Sequence, residues 1–277
     1  MTLIADSGST KTHWCLIENG KELKHFFTKG INPFYQTKDE IGSEIDIHLM
    51  NELKHYNVNK IFFYGAGCSF PDKKAIVSDA LGLRFRDAVI EVQSDLLAAA
   101  RSLFLHDEGI ACILGTGSNS CFYNGSEIAA NVSPLGFILG DEGSGAVLSK
   151  AFVADCLKNQ IPESLKQKFL LQYDLTPALI LDKVYKQPFP NRFLASFTPF
   201  LLENINEPSV YNLVLAGFNA FFARNVKQYD LHNRKVSFVG SVAFHFAEVL
   251  KTSAAVNGIE TGDIVQSPMQ GLIQYHS

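Results

Sequence analysis

No Cys-x-x-Cys pair occurs in this sequence, no block of like charge, and no apolar run near the ~18 residues that a membrane-spanning helix needs. Each absence removes a class of protein. The five cysteines (Cys15, Cys68, Cys112, Cys121, Cys156) are scattered, odd in number and mostly set in apolar stretches, so they read as buried free thiols in a reducing compartment. The eight histidines show no metal-ligand spacing. The 24 basic and 28 acidic residues give a net charge of −4 with no basic stripe. That argues against nucleic acid and against a polybasic membrane surface as partners. The N-terminus runs straight into a strand pattern, with no basic region and apolar stretch of a leader. The expectation is a soluble, cytoplasmic protein.

What is present suggests two ordinary α/β domains. The 277 residues are 47% hydrophobic and 19% charged, enough for two cores. Thr2 to Ala5, Thr12 to Ile17 and Leu23 to Thr28 read as successive strands, followed by a helix from about Lys38 to Tyr56. Lys60 to Tyr64 and Ala88 to Val92 read as further strands. Pro71 to Leu81 and Ser94 to Leu105 read as helices, with proline near the start of the first and Ser94 as N-cap of the second. At Gly109 the pattern restarts: a strand at Ile110 to Leu114, a small-residue turn, a strand at Ser120 to Tyr123, an Asn124-Gly125 turn, then Ile128 to Asn131. From Asp141 the chain reads as mostly helical, and Val210, Val214, Phe218, Phe221 and Phe222 form a core stripe. Val236 to Val239 is one more strand, ending in Gly240-Ser241 before another helix. The boundary falls near His106 to Gly109, giving domains 1–107 and 108–277.

A strand, a Gly/Ser/Thr turn and a second strand thus occur twice, at 2–17 and at 110–123. The turns are Asp6-Ser-Gly-Ser-Thr-Lys-Thr12 and Gly115-Thr-Gly-Ser-Asn119. Each offers backbone N–H groups to an anion. Neither is a Walker A loop, since no glycine immediately precedes Lys11 and a strand follows. Nor is Gly115-Thr116-Gly117 a dinucleotide fingerprint, because position 120 is serine. One such turn alone is ordinarily just a hairpin; two in register point to phosphate.

Asp6 to Thr12 resembles the first phosphate motif of the sugar kinase/heat-shock chaperone/actin superfamily, and Leu114 to Asn119 resembles its second. Val239-Gly-Ser-Val-Ala243 is similar to the adenosine motif. Leu139-Gly-Asp-Glu-Gly-Ser-Gly145 narrows the likeness to the N-acetylglucosamine kinase branch, also called the BadF/BadG/BcrA/BcrD-type ATPase family. The motifs come in family order over residues 6 to 243. The resemblance implies two actin-like ATPase (ribonuclease H-like) α/β domains with a nucleotide cleft between them, ATP and magnesium as cofactors, and a small-molecule sugar substrate; it leaves room for a homodimer.

Carried over position by position, the resemblance makes Asp6 the magnesium ligand, through water. It puts Gly8, Ser9, Thr10 and Lys11 at the nucleotide, the last two near its β/γ-phosphates. Gly115, Thr116 and Gly117 would hold phosphates from the second domain, and Gly240 with Ser241 would meet the adenosine. Asp95, in Gln93-Ser94-Asp95 at a strand-to-helix junction, falls at the family's catalytic base. The plain alternative is an acid that complements the helix dipole. Asn32, Asn119 and Asp141 are the implied sugar ligands, with capping of a following helix as the alternative for Asp141. Next to Asn32 the family's N-acetylglucosamine kinases carry His-Trp where this chain has Pro33-Phe34, and Phe34 could still stack on a pyranose. The expected activity is ATP-dependent phosphorylation of N-acetylglucosamine or a related amino sugar. Competing readings are a BadF-type ATPase that activates a radical dehydratase through bridging cysteines, and a nucleotide or sugar sensor without kinase activity.

Overall fold

The first three apolar runs become β1 (Thr2–Ser7), β2 (Lys11–Glu18) and β3 (Lys21–Lys29), a meander of antiparallel strands. On the other side of β1, β4 (Lys60–Gly65) and β5 (Val89–Ser94) are added in parallel, giving the order β3-β2-β1-β4-β5. The second sheet holds β6 (Glu108–Leu114), β7 (Ser118–Asn124), β8 (Ile128–Val132), β9 (Val236–Val239) and β10 (Thr261–Val265). Its order is β10-β9-β6-β7-β8, the same layout as the first when β6 is matched to β1. The repeat of layout seen in the two turns therefore extends to whole sheets. Strand β10 lies beyond the last strand that the sequence pattern predicts.

This computed structural model describes residues 1–277 and divides into two compact units. The first comprises Met1–Glu108, Tyr123–Ala129 and Ser267–Ser277, the second Gly109–Phe122 and Ala130–Gln266. The units thus do not follow a single cut between 107 and 108. The last eleven residues return to the first unit because the apolar stripe of helix Met269–Tyr275 completes a core there. In that unit both faces of the sheet are covered, which is why β1 is apolar without alternation. Leu3, Ala5, Trp14 and Leu16 pack against Ile41, Ile45, Val77 and Leu81 on one face. Ile4, Cys15 and Ile17 pack with Ala98, Met269, Leu272 and Ile273 on the other.

In the second unit, Val210, Val214, Phe218, Phe221 and Phe222 are fully buried on helix Pro208–Arg224, as their spacing required. They join Cys112, Leu114, Phe152 and Phe238 in one core. All five cysteines are free and buried. No helix is long and apolar enough to cross a membrane. The helix expected to run to Tyr56 ends at Leu53, after a π turn over Asp46–Met50.

Candidate active site

In the first unit, the row Ser7, Gly65 and Ser94 marks the carboxyl ends of three parallel strands. Open α/β sheets present ligand sites at this end. Asp6 lies one residue before the end of β1, and Asp95 one residue past the end of β5. Low-dielectric surroundings raise the Asp6 carboxyl to about 7, with the negative charge of Asp95 adding to the rise and Lys11 opposing it. Asp95 is itself raised above the usual carboxylate range by burial, against the pull of the Leu96 N–H. Both side chains nevertheless keep some solvent-accessible surface.

Asp95 is the first residue of helix Asp95–Phe104, and the Ser94 hydroxyl caps that helix by accepting from the Leu97 N–H at 3.2 Å. Capping is thus done by Ser94. One oxygen of Asp95 accepts from the Leu96 N–H at 2.9 Å, which fixes the carboxylate's direction.

The loop Gly8 to Lys11 is pinned from below by two hydroxyls that sequence reasoning had left without a role. Ser7 Oγ and Thr12 Oγ1 share a buried hydrogen bond of 2.7 Å. Thr12 also donates to the Lys29 carbonyl, and Ser7 Oγ accepts from the Ile31 N–H at 2.9 Å. Across the loop, Gly8 N–H donates to the Lys11 carbonyl at 3.0 Å, and Gly30 N–H donates to the Thr10 carbonyl at 3.0 Å. Asn32 follows on the same strap. Its side-chain oxygen accepts from the Phe34 N–H at 3.0 Å, forming an Asx turn. Gly67, at φ +82 in the loop after β4, packs so closely on the Asn32 carboxamide that a β-carbon would collide with it. Asp6, the loop 8–11, Asn32 and Asp95 are therefore gathered at one end of one sheet. Phe34 is exposed and meets Phe70 edge-on at 6.3 Å.

In the second unit, the turn between β6 and β7 is closed by Gly115 N–H donating to the Gly117 carbonyl at 2.9 Å. The carbonyls of Gly115 and Thr116 accept from Gly145 and Ala146, the first amides of helix Gly145–Leu157. Asn119 is held by its side-chain oxygen, which accepts from Ser120 N–H at 2.9 Å and Asn131 Nδ2 at 3.0 Å.

Asp141 needs a correction. It neither starts nor caps the following helix; Ser144 is the cap, and Asp141 sits before it in a left-handed conformation at φ +55. Its carboxylate turns to the phosphate-like turn and accepts from Ser118 N–H at 3.2 Å. Burial raises it to about 6, with Ser118 opposing and Glu142 adding to the rise. Neighbouring Glu142 is tied to Arg224 at 2.9 Å and Asn225 at 3.2 Å, which leaves Asp141 as the available acid. Gly240, at φ +126, lets its backbone lie against the Leu114 carbonyl, where any side chain would clash; Ser241 next to it is exposed and opens helix Ser241–His245. The turn 115–119, Asp141 and Gly240 thus share one end of the second sheet.

Two neighbouring acids faced by one lysine leave an excess of negative charge, and hard carboxylate oxygens suit magnesium. The residues present fit that ion.

A solved structure of a Porphyromonas gingivalis protein proposed to be an N-acetylglucosamine kinase matches this chain at 50% identity and a TM-score of 0.97, covering 100% of this chain and 98% of that one. A Chromobacterium violaceum protein of the same proposed kind matches at 16% identity and 0.72, covering 100% and 98%. Component A of the (R)-2-hydroxyglutaryl-CoA dehydratase of Acidaminococcus fermentans matches at 11% and 0.51, covering 98% and 94%. The last two bear on the fold alone. No family model matches the chain, and no curated protein matches it either. On the full-length likeness at 50% identity, the chain belongs to the same N-acetylglucosamine kinase-like family as the Porphyromonas gingivalis protein.

Proposed function

We propose that the protein transfers the γ-phosphoryl group of ATP to a hydroxyl of N-acetylglucosamine or a related amino sugar. The observation that carries this reading is the placement of two carboxylates, Asp6 and Asp95, at the carboxyl ends of parallel strands β1 and β5. Phosphoryl transfer needs positioning and charge neutralisation more than covalent chemistry. Asp95 acts as general base: it accepts the proton of the sugar hydroxyl as that oxygen bonds to phosphorus and ADP leaves. Burial that raises the pKa of this carboxyl makes it a better base near neutrality. Asp6 would hold magnesium through water, which supplies positive charge at the phosphates when bound.

Gly8, Ser9, Thr10 and Lys11 would serve the nucleotide phosphates, as would Gly115, Thr116 and Gly117. Gly240 and Ser241 receive the adenosine. Asn32, Asn119 and Asp141 bind sugar hydroxyls, and the exposed ring of Phe34 offers a stacking face beside Asn32. The dehydratase-activator reading needs accessible cysteines in loops. Cys112 and Cys121 are fully buried within β6 and β7, and burial pushes both thiols up. No observation favours that reading.

The test is a coupled ADP-release assay over a panel of amino sugars and their parent hexoses. ADP release that depends on an N-acylated amino sugar supports the proposal. ATP hydrolysis indifferent to every sugar, or no turnover with any, overturns it.

A further inference from the structure

We propose that Cys15, Glu22 and His25 form a zinc-binding site on the β2–β3 hairpin, separate from the phosphate and sugar residues. Their ligand atoms all lie within 4.8 Å of one another. Cys15 and His25 are direct cross-strand partners, and the register slips between Leu16 and Ile17 so that Glu22 pairs with Ile17. The irregularity brings Glu22 beside His25. Thiolate, imidazole and carboxylate together suit a borderline-soft ion such as zinc, and three protein ligands leave a fourth position for water.

The surroundings orient each ligand. His25 Nδ1 is 2.9 Å from His13 Nε2, while its Nε2 lies 3.4 Å from Glu22 Oε2. With Nδ1–H donating to His13, Nε2 is left as the metal-binding nitrogen. Glu22 Oε1 accepts from Gln270 Nε2 at 2.6 Å, which leaves Oε2 directed at the cluster. Such outer partners are what metal-bound imidazoles and carboxylates ordinarily have. Cys15 sulfur is fully buried, whereas the side chains of His25 and Glu22 are 38% and 34% exposed. Zinc therefore has an approach from solvent, and the sulfur lies at the inner side.

Binding is proton-coupled. The Cys15 thiol releases its proton to solvent as sulfur bonds to the metal. Because Glu22 is also bonded to Gln270 on the C-terminal helix, a filled site fastens the hairpin to that helix. Zinc then stabilises the native chain by mass action.

The experiment uses the full-length protein stripped of metal and titrated with zinc by calorimetry, and with cobalt by absorption. The expected result is one equivalent of metal, a thiolate-to-cobalt band in the near ultraviolet, and a rise in thermal midpoint with zinc. Cys15→Ser should remove the band. Glu22→Gln and His25→Gln, both at partly exposed positions, should weaken zinc at least about tenfold with the fold intact by circular dichroism. His13→Phe should weaken it by about 10–100-fold, as loss of an outer partner does. No bound zinc, a cobalt spectrum without the thiolate band, or undiminished affinity in His25→Gln overturns the proposal.

Discussion

Replacing Asp6 with asparagine should stabilise the metal-free protein at alkaline pH and do almost nothing for its stability in acid. The folded carboxyl titrates at about 7 against 3.8 for an ordinary aspartate, raised by burial and then by Asp95. Between those values the native state holds a proton that the unfolded chain has released. Stability from this group is therefore whole below about pH 4 and is lost as pH rises through 7. A rise of about three pH units at about 1.4 kcal/mol each gives a ceiling of about 4 kcal/mol. Asp6 keeps an open side, and solvent screening brings this to about 2 kcal/mol. For a chain of this size that is roughly 4–8 °C in thermal midpoint. The assay is a melting scan of both proteins in a chelator at pH 4.5 and pH 8. The midpoint of Asp6→Asn minus that of the parent should grow by that amount between the two. An equal difference at both pH values would refute the electrostatic reasoning and remove the case for a cation at Asp6.

Three further outcomes follow from the second unit and are read independently. Gly117→Val should weaken ATP binding at least about tenfold by calorimetry without unfolding the protein, since a β-carbon there would lie 3.1 Å from the Asp141 carboxylate. Unchanged affinity would remove the turn from the nucleotide site. Gly240→Ala should cost roughly 1–3 kcal/mol through backbone strain at positive φ and collision with Leu114. A melting midpoint equal to the parent's would contradict the geometry. Asp141→Asn keeps a residue type that tolerates the left-handed backbone, so it should raise the sugar KM while sparing the ATP KM. In the parent, the sugar KM should climb as pH falls below about 6, where Asp141 takes up its proton. A flat KM across pH 5 to 8 would separate Asp141 from the sugar.

The sequence announced those features whose cause is local. Strand β1 is apolar and stops at Asp6-Ser7-Gly8; Ser94 stands where a helix must be capped; Gly240 ends a strand at a backbone angle other residues avoid. The features it concealed depend on which distant segments meet. Met269, Leu272 and Ile273 have helical spacing, but nothing in that spacing says that they complete the first unit's core. The hold of Gly67 on Asn32 joins two loops 35 positions apart. Gly143, Ser144 and Gly145 obscure where the helix after Asp141 begins, and only the Ser118 contact reveals the direction of the Asp141 carboxylate. Cys15, Glu22 and His25 have no spacing that suggests a ligand set, since a register slip between strands is what assembles them. Thr261–Val265 is short and only partly buried, so it lacks the apolar signal that betrayed the other strands.

The measurement that bears most directly on the kinase reading is turnover of Asp95→Asn. Asparagine keeps the shape of the side chain and an oxygen for the Leu96 N–H, but it cannot take the proton of an attacking hydroxyl. With an amino sugar and ATP saturating, kcat should fall by roughly 10²–10⁴, the usual worth of a positioned general base, while both KM values change little. If Asp95 only complements the dipole of helix Asp95–Phe104, the change should cost at most about 1 kcal/mol of stability. Full kcat with a lowered thermal midpoint would contradict the catalytic assignment and the proposed function that rests on it.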